Sequence, residues 1–424
     1  MTHTLASRAA VYTAANLFNS ALPFLLLPLL TRVLSPSEYG LVAVFSTSIT
    51  VLGALTGLSV HGAVNVRHHE SGLDMPSYVG SALAVVAGST AVVLVLIVLT
   101  GGATDRWTGI STGWLLAAAL ASAAQFVLQL RLVVWQARGM AVRFGALQVL
   151  QTSLNLGLSL LLVLAVGLGW EGRAAGIAGA TAAAGGVALF SLLRSGDAVL
   201  RPRVGYVRDA LRFGVPLVPH VIGSVAIANS DRLIVAGLAG LHEAGLYAAG
   251  MQLGLLVAML ADAVVKSVSP WIFASLGSDD LAVRQRIVRF SYAYFAGIAT
   301  VAALTALAAP WLLTVLGKEF RSSGEVVGFV ALGGAFSGMY LMVVSYVFYS
   351  RRNEWLSLLS ISVGCFNVAL CWFLVQRHGA VGAAQAYALS QLLMFAGTWY
   401  AAARLCPMPW GSGLRHLLPR PSAG

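Results

Sequence analysis

The sequence predicts an all-α polytopic membrane protein with about 12 transmembrane helices, and three observations lead to this fold class. Hydrophobic residues make up 58% of the 424 residues, and the mean hydropathy is +0.83. Charged residues make up only 10%, whereas they make up roughly 25% of an ordinary soluble domain. Apolar runs of about 20 residues, each long enough to cross the hydrocarbon layer as a helix, recur from one end of the chain to the other.

The individual spans follow from cutting the chain at charged and Gly/Pro-rich breaks. This predicts spans that begin near residues 9, 40, 79, 113, 144, 174, 213, 241, 290, 325, 355 and 380. The first run, about Ala9 to Thr31, is too long for the apolar core of a signal peptide, and another long run follows at once. We therefore interpret it as a retained span. Between these two runs, Ser35, Pro36 and Ser37 predict a turn.

The basic residues predict how these spans are oriented. With an even number of spans both termini lie on one side, and that side carries 19 of the 26 Lys and Arg residues. Loops rich in Lys and Arg stay in the cytoplasm, so both termini are predicted to be cytoplasmic. The same distribution accounts for most of the net charge of +11 and argues against nucleic acid as a partner. The opposite, exterior side carries Arg32, Arg106, Arg173, Arg232, Lys318, Arg321 and Arg377.

An internal repeat predicts two lobes. The sequence SEYGLVAV at 37–44 resembles HEAGLYAA at 242–249, a spacing of 205 residues, and AGIAGA at 175–180 resembles VGAAQA at 381–386. Each repeat holds six spans, an even number, so both have the same orientation in the membrane. This is the arrangement of transporters whose halves are related by an axis along the membrane normal. We predict six-helix lobes at residues 1–205 and 206–424.

Polar side chains inside the spans are the first candidates for a functional site. In hydrocarbon such groups usually face the bundle interior or a water-filled cavity. Asn16 and Asn19 share one helical face, and Gln148, Gln151 and Asn155 share another. Two interpretations stay open: these residues form hydrogen bonds between helices, or they line a cavity.

The seventh span adds titratable candidates. Pro216 and Pro219 predict a bend at its start. His220 beside them could titrate near neutral pH or pack as a hydrogen-bonded side chain. Further along the same span, Asp231 and Arg232 form either a local ion pair or a charged cavity site.

Charged residues near the predicted cytoplasmic ends of spans form a third group. Asp262 and Lys266 are four residues apart, which is the spacing of a helical ion pair. Together with Arg67 and Arg131 they could instead form a basic vestibule for an anionic head group, because basic pockets between spans on this side bind such lipids.

Sequence signatures of several enzyme classes are missing. The chain contains no GxxxxGK[ST] phosphate loop, no HExxH motif and no long exterior loop with paired carboxylates. Cys365, Cys371 and Cys406 have neither CxxC spacing nor further cysteines to pair with, so neither a disulfide framework nor a zinc site is predicted. We expect no catalytic residue, no metal and no cofactor.

Two segments carry a family resemblance. NLFNSALPFLLLPLLTRVLSPSEYGLVAVFSTSI, residues 16–49, resembles the first hairpin of the polysaccharide-type, Wzx-like flippases of the multidrug/oligosaccharidyl-lipid/polysaccharide exporter (MOP) superfamily. LRFGVPLVPHVIGSVAIANSDRLIVAGLAGLHEAGLYAAGMQL, residues 211–253, is similar to the segment that opens their second half. Length, span count and repeat extend the resemblance over the whole chain.

The resemblance implies a transporter that flips oligosaccharide units linked to a polyprenyl pyrophosphate from the cytoplasmic to the outer leaflet, by alternating access, for cell-surface polysaccharide synthesis. It further implies a cationic cavity, a multi-pass location in the inner (plasma) membrane, and partners among membrane lipids, a polysaccharide polymerase and glycosyltransferases. Arg32 and the pair Asp231 and Arg232 occupy the LLTRVLSPSEYG and DRLI positions of the family. We expect these residues, with Lys266 and Arg67, to contact the head group or a coupling ion.

Two other functions stay open. An ion-coupled multidrug exporter of the same superfamily would share the spans and the repeat, although its cationic substrates would favour more acids within the spans than Asp231 and Asp262. A polytopic polysaccharide polymerase would need a large exterior loop. The predicted exterior segments at 101–112 and 317–325 are too short to build one.

Overall fold

The computed structural model describes residues 19, 23–68, 72–276, 280–349, 354–406 and 408–410, and every regular element within these ranges is helical. The predicted all-α polytopic fold class is thereby confirmed. The chain divides into two compact units, unit 1 at Met1–Gly245 and unit 2 at Leu246–Gly424. The repeat boundary near residue 205, the number of 12 spans and the side of the termini stay predictions.

The helices of unit 1 follow one another with short connections. A π-helical turn at Leu161–Ala165 extends α6, and a 3-10 turn at Val215–Leu217 separates α8 from α9, where Pro216 and Pro219 predict a bend. The helices are α1 (Pro23–Val33 in its described part), α2 (Pro36–Gly57), α3 (Val60–Arg67), α4 (Met75–Thr108), α5 (Thr112–Ala137), α6 (Ala141–Leu160), α7 (Gly169–Arg194), α8 (Val204–Gly214) and α9 (Val218–Ala239).

The remaining helices belong wholly or largely to unit 2. They are α10 (Leu241–Leu276), whose first residues belong to unit 1, α11 (Leu281–Leu312), α12 (Gly324–Tyr349) and α13 (Glu354–Leu405). Helix α12 packs against both α11 and α13. Gly250 and Gly254 let α10 approach α12, because a Cβ on either would lie within 2.7 Å of Val326 or Val330.

Nine helices in the described residues are long and apolar enough to cross a membrane. One of them, Leu358–Leu405, has 48 residues and would be about 72 Å long if straight, more than twice the hydrocarbon thickness. Gly379 interrupts it with φ 53° and ψ −134°. A Cβ on Gly382 would lie 2.3 Å from the carbonyl oxygen of Leu374, so the chain folds back here. This matches the two spans predicted from near residues 355 and 380.

The turn before α2 is a capping box. The Ser35 N–H and hydroxyl donate to Oε2 of Glu38 at 2.9 and 3.0 Å, and the Glu38 N–H donates to Oγ of Ser35 at 3.3 Å. These bonds satisfy donors that the first turn of a helix leaves without partners, and Pro36 fits there because it has no N–H to satisfy. The turn predicted at Ser35, Pro36 and Ser37 is therefore confirmed.

Both ends of unit 1 are held by contacts between backbones. At the end where α2 and α10 begin, a Cβ on Gly40 would lie 2.1 Å from the carbonyl oxygen of Leu241, and one on Gly245 would lie 1.8 Å from that of Pro36. We call this the Gly40 end. The two glycines occupy equivalent positions in the similar sequences at 37–44 and 242–249, and these sequences meet at the two glycines within unit 1.

At the opposite end α4 begins and α7 stops, and we call it the Arg131 end. A Cβ on Gly80 would lie 1.8 Å from the carbonyl oxygen of Val199, and one on Gly214 would lie 2.0 Å from that of Leu58. By the distribution of basic residues, the Gly40 end is the predicted exterior end and the Arg131 end the predicted cytoplasmic end.

Candidate functional site

Arg173 lies inside unit 1 near the Gly40 end, in the second turn of α7. Its Nη1 donates to Oδ1 of Asn155 and to Oγ of Ser159, both on α6. Helices α6 and α7 approach closely here, since a Cβ on Gly176 would lie 2.5 Å from the Ser159 hydroxyl oxygen. Small residues four apart, such as Gly172 and Gly176, allow this approach between membrane helices. The close packing brings Arg173 within reach of polar groups on its neighbour.

Tyr39 links Arg173 to a second cation. Tyr39 is a buried residue of α2 and lies near both Arg173 and Arg232. Arg232 lies on α9, and its backbone N–H donates to Oδ1 of the buried Asp231 at 2.8 Å. Four helices, α2, α6, α7 and α9, thus contribute to one polar group, which we call the arginine cluster: Tyr39, Asn155, Ser159, Arg173 and Arg232.

The arginine cluster has more donors than acceptors. The Nε atoms of Arg173 and Arg232 are buried and have no hydrogen-bond partner in the part of the chain that the structure describes. Among those same residues, no carboxylate lies within ion-pair distance of Arg173. Its hydrogen bonds go to neutral oxygens, so its charge is not neutralised locally. A half-buried cation in this state is suited to binding an anion.

Some of the polar residues of α6 form hydrogen bonds to other helices. Nε2 of Gln151 donates to Oε1 of Gln125 on α5 at 2.7 Å, and the hydroxyl of Thr152 donates to Oδ1 of Asn19. Oε1 of Gln148 is buried without a hydrogen-bond partner among the described residues. Hydrogen bonding between helices therefore accounts for Gln151, and Asn155 belongs to the arginine cluster. Asn16 lies outside the described residues.

Arg67 belongs to an ion pair at the Arg131 end. Its Nε and Nη2 donate to Oδ2 and Oδ1 of Asp209 on α8 at 3.1 and 2.8 Å, and the hydroxyl of Tyr78 donates to Oδ2 at 2.8 Å. Burial raises the pKa of the Asp209 carboxyl, but the hydrogen bonds from Arg67 and Tyr78 outweigh it and hold this pKa below its ordinary value. Binding of a head group at Arg67 stays a prediction.

Arg131 forms a separate, more deeply buried ion pair at the same end. Its side chain is 2% exposed, and Nη1 lies 2.5 Å from Oδ2 of Asp197. Ser191 and Ser195 accept from its other nitrogens, and its guanidinium stacks 4.3 Å from the ring of Trp135. Burial raises the pKa of Asp197, but hydrogen bonds from Ser195, Arg131 and Arg138 lower it by more. This pair joins α5 to the segment that follows α7.

The other predicted site residues lie apart from the arginine cluster. Arg32 is an exposed residue of α1. Nζ of Lys266 lies 2.6 Å from Oδ2 of Asp262, and both side chains are exposed, so the predicted helical ion pair is present. The side chain of His220 lies outside the described residues. The structure thus brings together Asn155 and Arg232, with Asp231 adjacent, out of the predicted set.

Sequence reasoning missed Tyr39, Ser159 and Arg173 as site residues. Arg173 appears in the predicted exterior group only as a loop charge, because the predicted sixth span begins after it. The structure starts α7 at Gly169, which places Arg173 inside the span. The available signal was the run of small residues in AAGIAGA directly after Arg173, which permits close helix packing around it.

Comparison with known proteins identifies the family. Residues 5–276, more than half of the chain, match the family described as Polysaccharide biosynthesis protein. Protein 1 of the Lsg locus of Haemophilus influenzae is 26% identical over 366 residues, which cover 83% of this chain and 87% of that protein. A membrane protein of the same organism is 25% identical over 376 residues and covers 84% and 87% of the two chains.

Solved structures identify the fold. The lipid II flippase MurJ, in an inward closed conformation, aligns with a TM-score of 0.73 at 13% identity, over 96% of this chain and 89% of that chain. An inward-facing multidrug resistance MATE family transporter of the MOP superfamily aligns with a TM-score of 0.69 at 14% identity, over 96% and 98%. The chain belongs to the polysaccharide biosynthesis protein family and has the fold of the MOP superfamily, as its resemblance to the Wzx-like flippases predicted.

Proposed function

We propose that this protein flips oligosaccharide units linked to a polyprenyl pyrophosphate from the cytoplasmic to the outer leaflet of the inner membrane, by alternating access. The observation that carries this proposal is the arginine cluster, in which Arg173 is half-buried within a candidate membrane span, its Nε is buried, and it has no carboxylate partner in the described part of the chain. A charged side chain within a membrane span is costly and is by default a candidate for a functional site.

The chemistry of the cluster favours a phosphate-containing substrate. Guanidinium groups present forked N–H donors that match phosphate oxygens, and hydrogen bonds between charged groups are about twice as strong as neutral ones. When the cluster opens to the substrate, Arg173 and Arg232 would each offer to a pyrophosphate oxygen an Nε that has no partner among the described residues. Asn155, Ser159 and Tyr39 add polar groups that sugars can use as hydrogen-bond partners. The polyprenyl chain stays in the surrounding lipid.

The family supports the same substrate class. The family is described as Polysaccharide biosynthesis protein, and the structural neighbour MurJ is named a lipid II flippase. Glycosyltransferases would supply the lipid-linked unit and a polysaccharide polymerase would consume it. The protein itself would break no covalent bond and would therefore be a transporter rather than an enzyme.

A second candidate function is supported by the other structural neighbour, which is named a multidrug resistance transporter. A drug exporter for cations would need a buried acid that is accessible to its substrate. Asp231 is the buried acid nearest the arginine cluster, and its neighbour Arg232 would repel such a cation. The balance of charge in the cluster therefore favours the anionic substrate. Asp231 is the residue that we assign to a coupling ion.

The test is export of surface glycan by cells from which the gene has been deleted. We expect the wild-type chain to restore export and Arg173→Gln to abolish it at unchanged protein level. Arg143→Gln is the matched control, because Arg143 is an exposed arginine of α6 that forms no ion pair among the described residues and donates to Sδ of Met140. Full export by Arg173→Gln would contradict the proposal. Extrusion of a cationic dye by the wild type, without glycan export, would favour the multidrug exporter.

A further inference from the structure

The segment from Arg194 to Arg212 presents positive charge at the Arg131 end of unit 1. It contains Arg194, Arg201, Arg203, Arg208 and Arg212. Its two acidic residues, Asp197 and Asp209, both form ion pairs. Asp197 is paired with Arg131 and Arg138, and Asp209 with Arg67. Arg203 pairs with Asp74 at 2.9 Å. The exposed side chains of Arg201 and Arg208 have no acidic partner among the described residues.

Helix α8 within this segment alternates such cations with apolar side chains. Val204 is 85% exposed and Leu200, just before the helix, is 61% exposed. On the opposite face, Ala210 and Gly214 are buried against the rest of unit 1. A short helix with a basic face and exposed apolar side chains is typical of one that lies in the membrane interface.

Two apolar grooves adjoin this segment. The first, of about 470 Å³, is lined by α4, α5 and Leu189 of α7 together with Leu200 and Pro202. The second, also of about 470 Å³, is lined by α4 together with Pro202, Val204, Val207 and Leu211. Both grooves contain Ala84 of α4, so they lie side by side and are separated by Pro202.

The position of the grooves points to a lipid rather than to a protein. Their α4 residues run from Gly80 to Leu94, within the span Met75–Thr100, one of the most apolar among the described residues. Ala84 lies about 14 Å along α4 from Met75, which is within reach of acyl chains that enter from the interface. Arg201 stands between the groove residues Leu200 and Pro202, and Arg208 follows Val207. The cations therefore border the grooves where a lipid phosphate would lie.

We propose that this surface of unit 1 binds one anionic phospholipid, with one acyl chain in each groove and its phosphate between Arg201 and Arg208. The charges complement an anionic head group, and two adjoining apolar grooves suit the two chains of a phospholipid. Basic residues beside spans on the cytoplasmic side attract anionic lipids. This site is distinct from the arginine cluster, and it does not depend on which substrate the protein transports.

The experiment measures lipid retained by the purified full-length protein in native mass spectrometry, after transfer from nanodiscs of phosphatidylglycerol or of phosphatidylcholine. We expect retained phosphatidylglycerol to exceed phosphatidylcholine by about thirtyfold, which corresponds to two arginines at about 1 kcal/mol each. Arg201→Gln with Arg208→Gln should abolish this preference. Arg143→Gln, which removes an exposed arginine elsewhere, should keep it.

A second variant tests the grooves. Gly88 lines the second groove and a Cβ there would meet no atom within 4 Å, so the side chain of Gly88→Leu has room to start into the groove. It should reduce retained phosphatidylglycerol to the level of phosphatidylcholine. Gly186→Leu is the control, since Gly186 of α7 is equally open but lines neither groove.

Three outcomes would overturn the proposal. One is equal retention of the two phospholipids by the wild type. Another is an unchanged preference in the double arginine variant or in Gly88→Leu. The third is displacement of phosphatidylglycerol by an equimolar polyprenyl phosphate, which would assign the grooves to the polyprenyl chain instead of a phospholipid.

Discussion

The two ends of unit 1 hold arginines in opposite ways. At the Arg131 end, Arg131 and Arg67 each meet a carboxylate, and serine or tyrosine hydroxyls complete both networks. At the Gly40 end, Arg173 meets only neutral oxygens among the described residues. The Gly40 end is instead held together by backbones in contact at Gly40 and Gly245.

This difference separates structural from functional arginines. A buried ion pair with its hydrogen bonds satisfied holds elements together, and removing one partner leaves an uncompensated charge. An arginine without a carboxylate contributes little to stability and keeps its charge available to a ligand. Because glycine contacts carry the packing at the Gly40 end, its arginines are free to serve binding.

The largest effect on stability is expected from Asp197→Ala, which leaves Arg131 buried without its charged partner. We expect the free energy of unfolding to fall by about 3–5 kcal/mol. The measurement is a denaturant titration in mixed micelles followed by tryptophan fluorescence. Glu171→Ala removes an exposed acid of α7 and should change stability by less than about 1 kcal/mol. If Asp197→Ala were as stable as the wild type, the ion pair of Arg131 would not stabilise the Arg131 end as we claim.

A smaller loss is expected from Gly40→Ala at the other end. The added methyl group would lie 2.1 Å from the carbonyl oxygen of Leu241, and overpacking of this kind typically costs about 1–3 kcal/mol. Gly186→Ala is the matched control, because a Cβ at Gly186 meets no atom within 4 Å. If both variants unfolded at the same denaturant concentration, the Gly40 end would not depend on its glycine contact.

The smallest effect is the response to acid. The pKa values of Asp197 and Asp209 are both lowered in the folded protein, so the stability they contribute is fully present above the unfolded pKa of about 3.9 and is lost as the pH falls through the folded values. The unfolding midpoint should therefore drop on acidification below about pH 4. Asp209→Asn has already lost one of these contributions and should show a shallower drop. A steeper drop in this variant would contradict the assignment.

The sequence predicted the fold through its hydrophobic pattern. Long apolar runs and their breaks gave the all-α membrane class, and SPSE before an apolar run predicted the turn that the capping box forms at Ser35 and Glu38. The chain folds back at Gly379, inside α13, which is where the predicted span that begins near residue 380 follows the one that begins near residue 355. These features are local, so a pattern of neighbouring residues suffices to find them.

The site was predicted only in part because it depends on contacts between distant segments. Asn155 and Arg232 stood out as polar groups within apolar runs. Tyr39 did not stand out, because a tyrosine in an apolar run is usually a packing residue. Only the structure shows that Arg173 and Arg232 lie near it. From the sequence alone, Arg67 and Arg131 could not be distinguished from arginines that bind a head group. Their partners, Asp209 and Asp197, lie 142 and 66 residues away along the chain.

The most direct test of the account is binding of a polyprenyl-pyrophosphate-linked oligosaccharide to the purified protein, compared between the wild type and Arg173→Gln. We expect the variant to bind about ten- to hundredfold more weakly, because a hydrogen bond to a charged group contributes about 1.5–3 kcal/mol, and to unfold no more easily than the wild type. Equal binding by the two proteins would contradict the claim that the arginine cluster is the anion site. So would a loss of stability as large as that of Asp197→Ala.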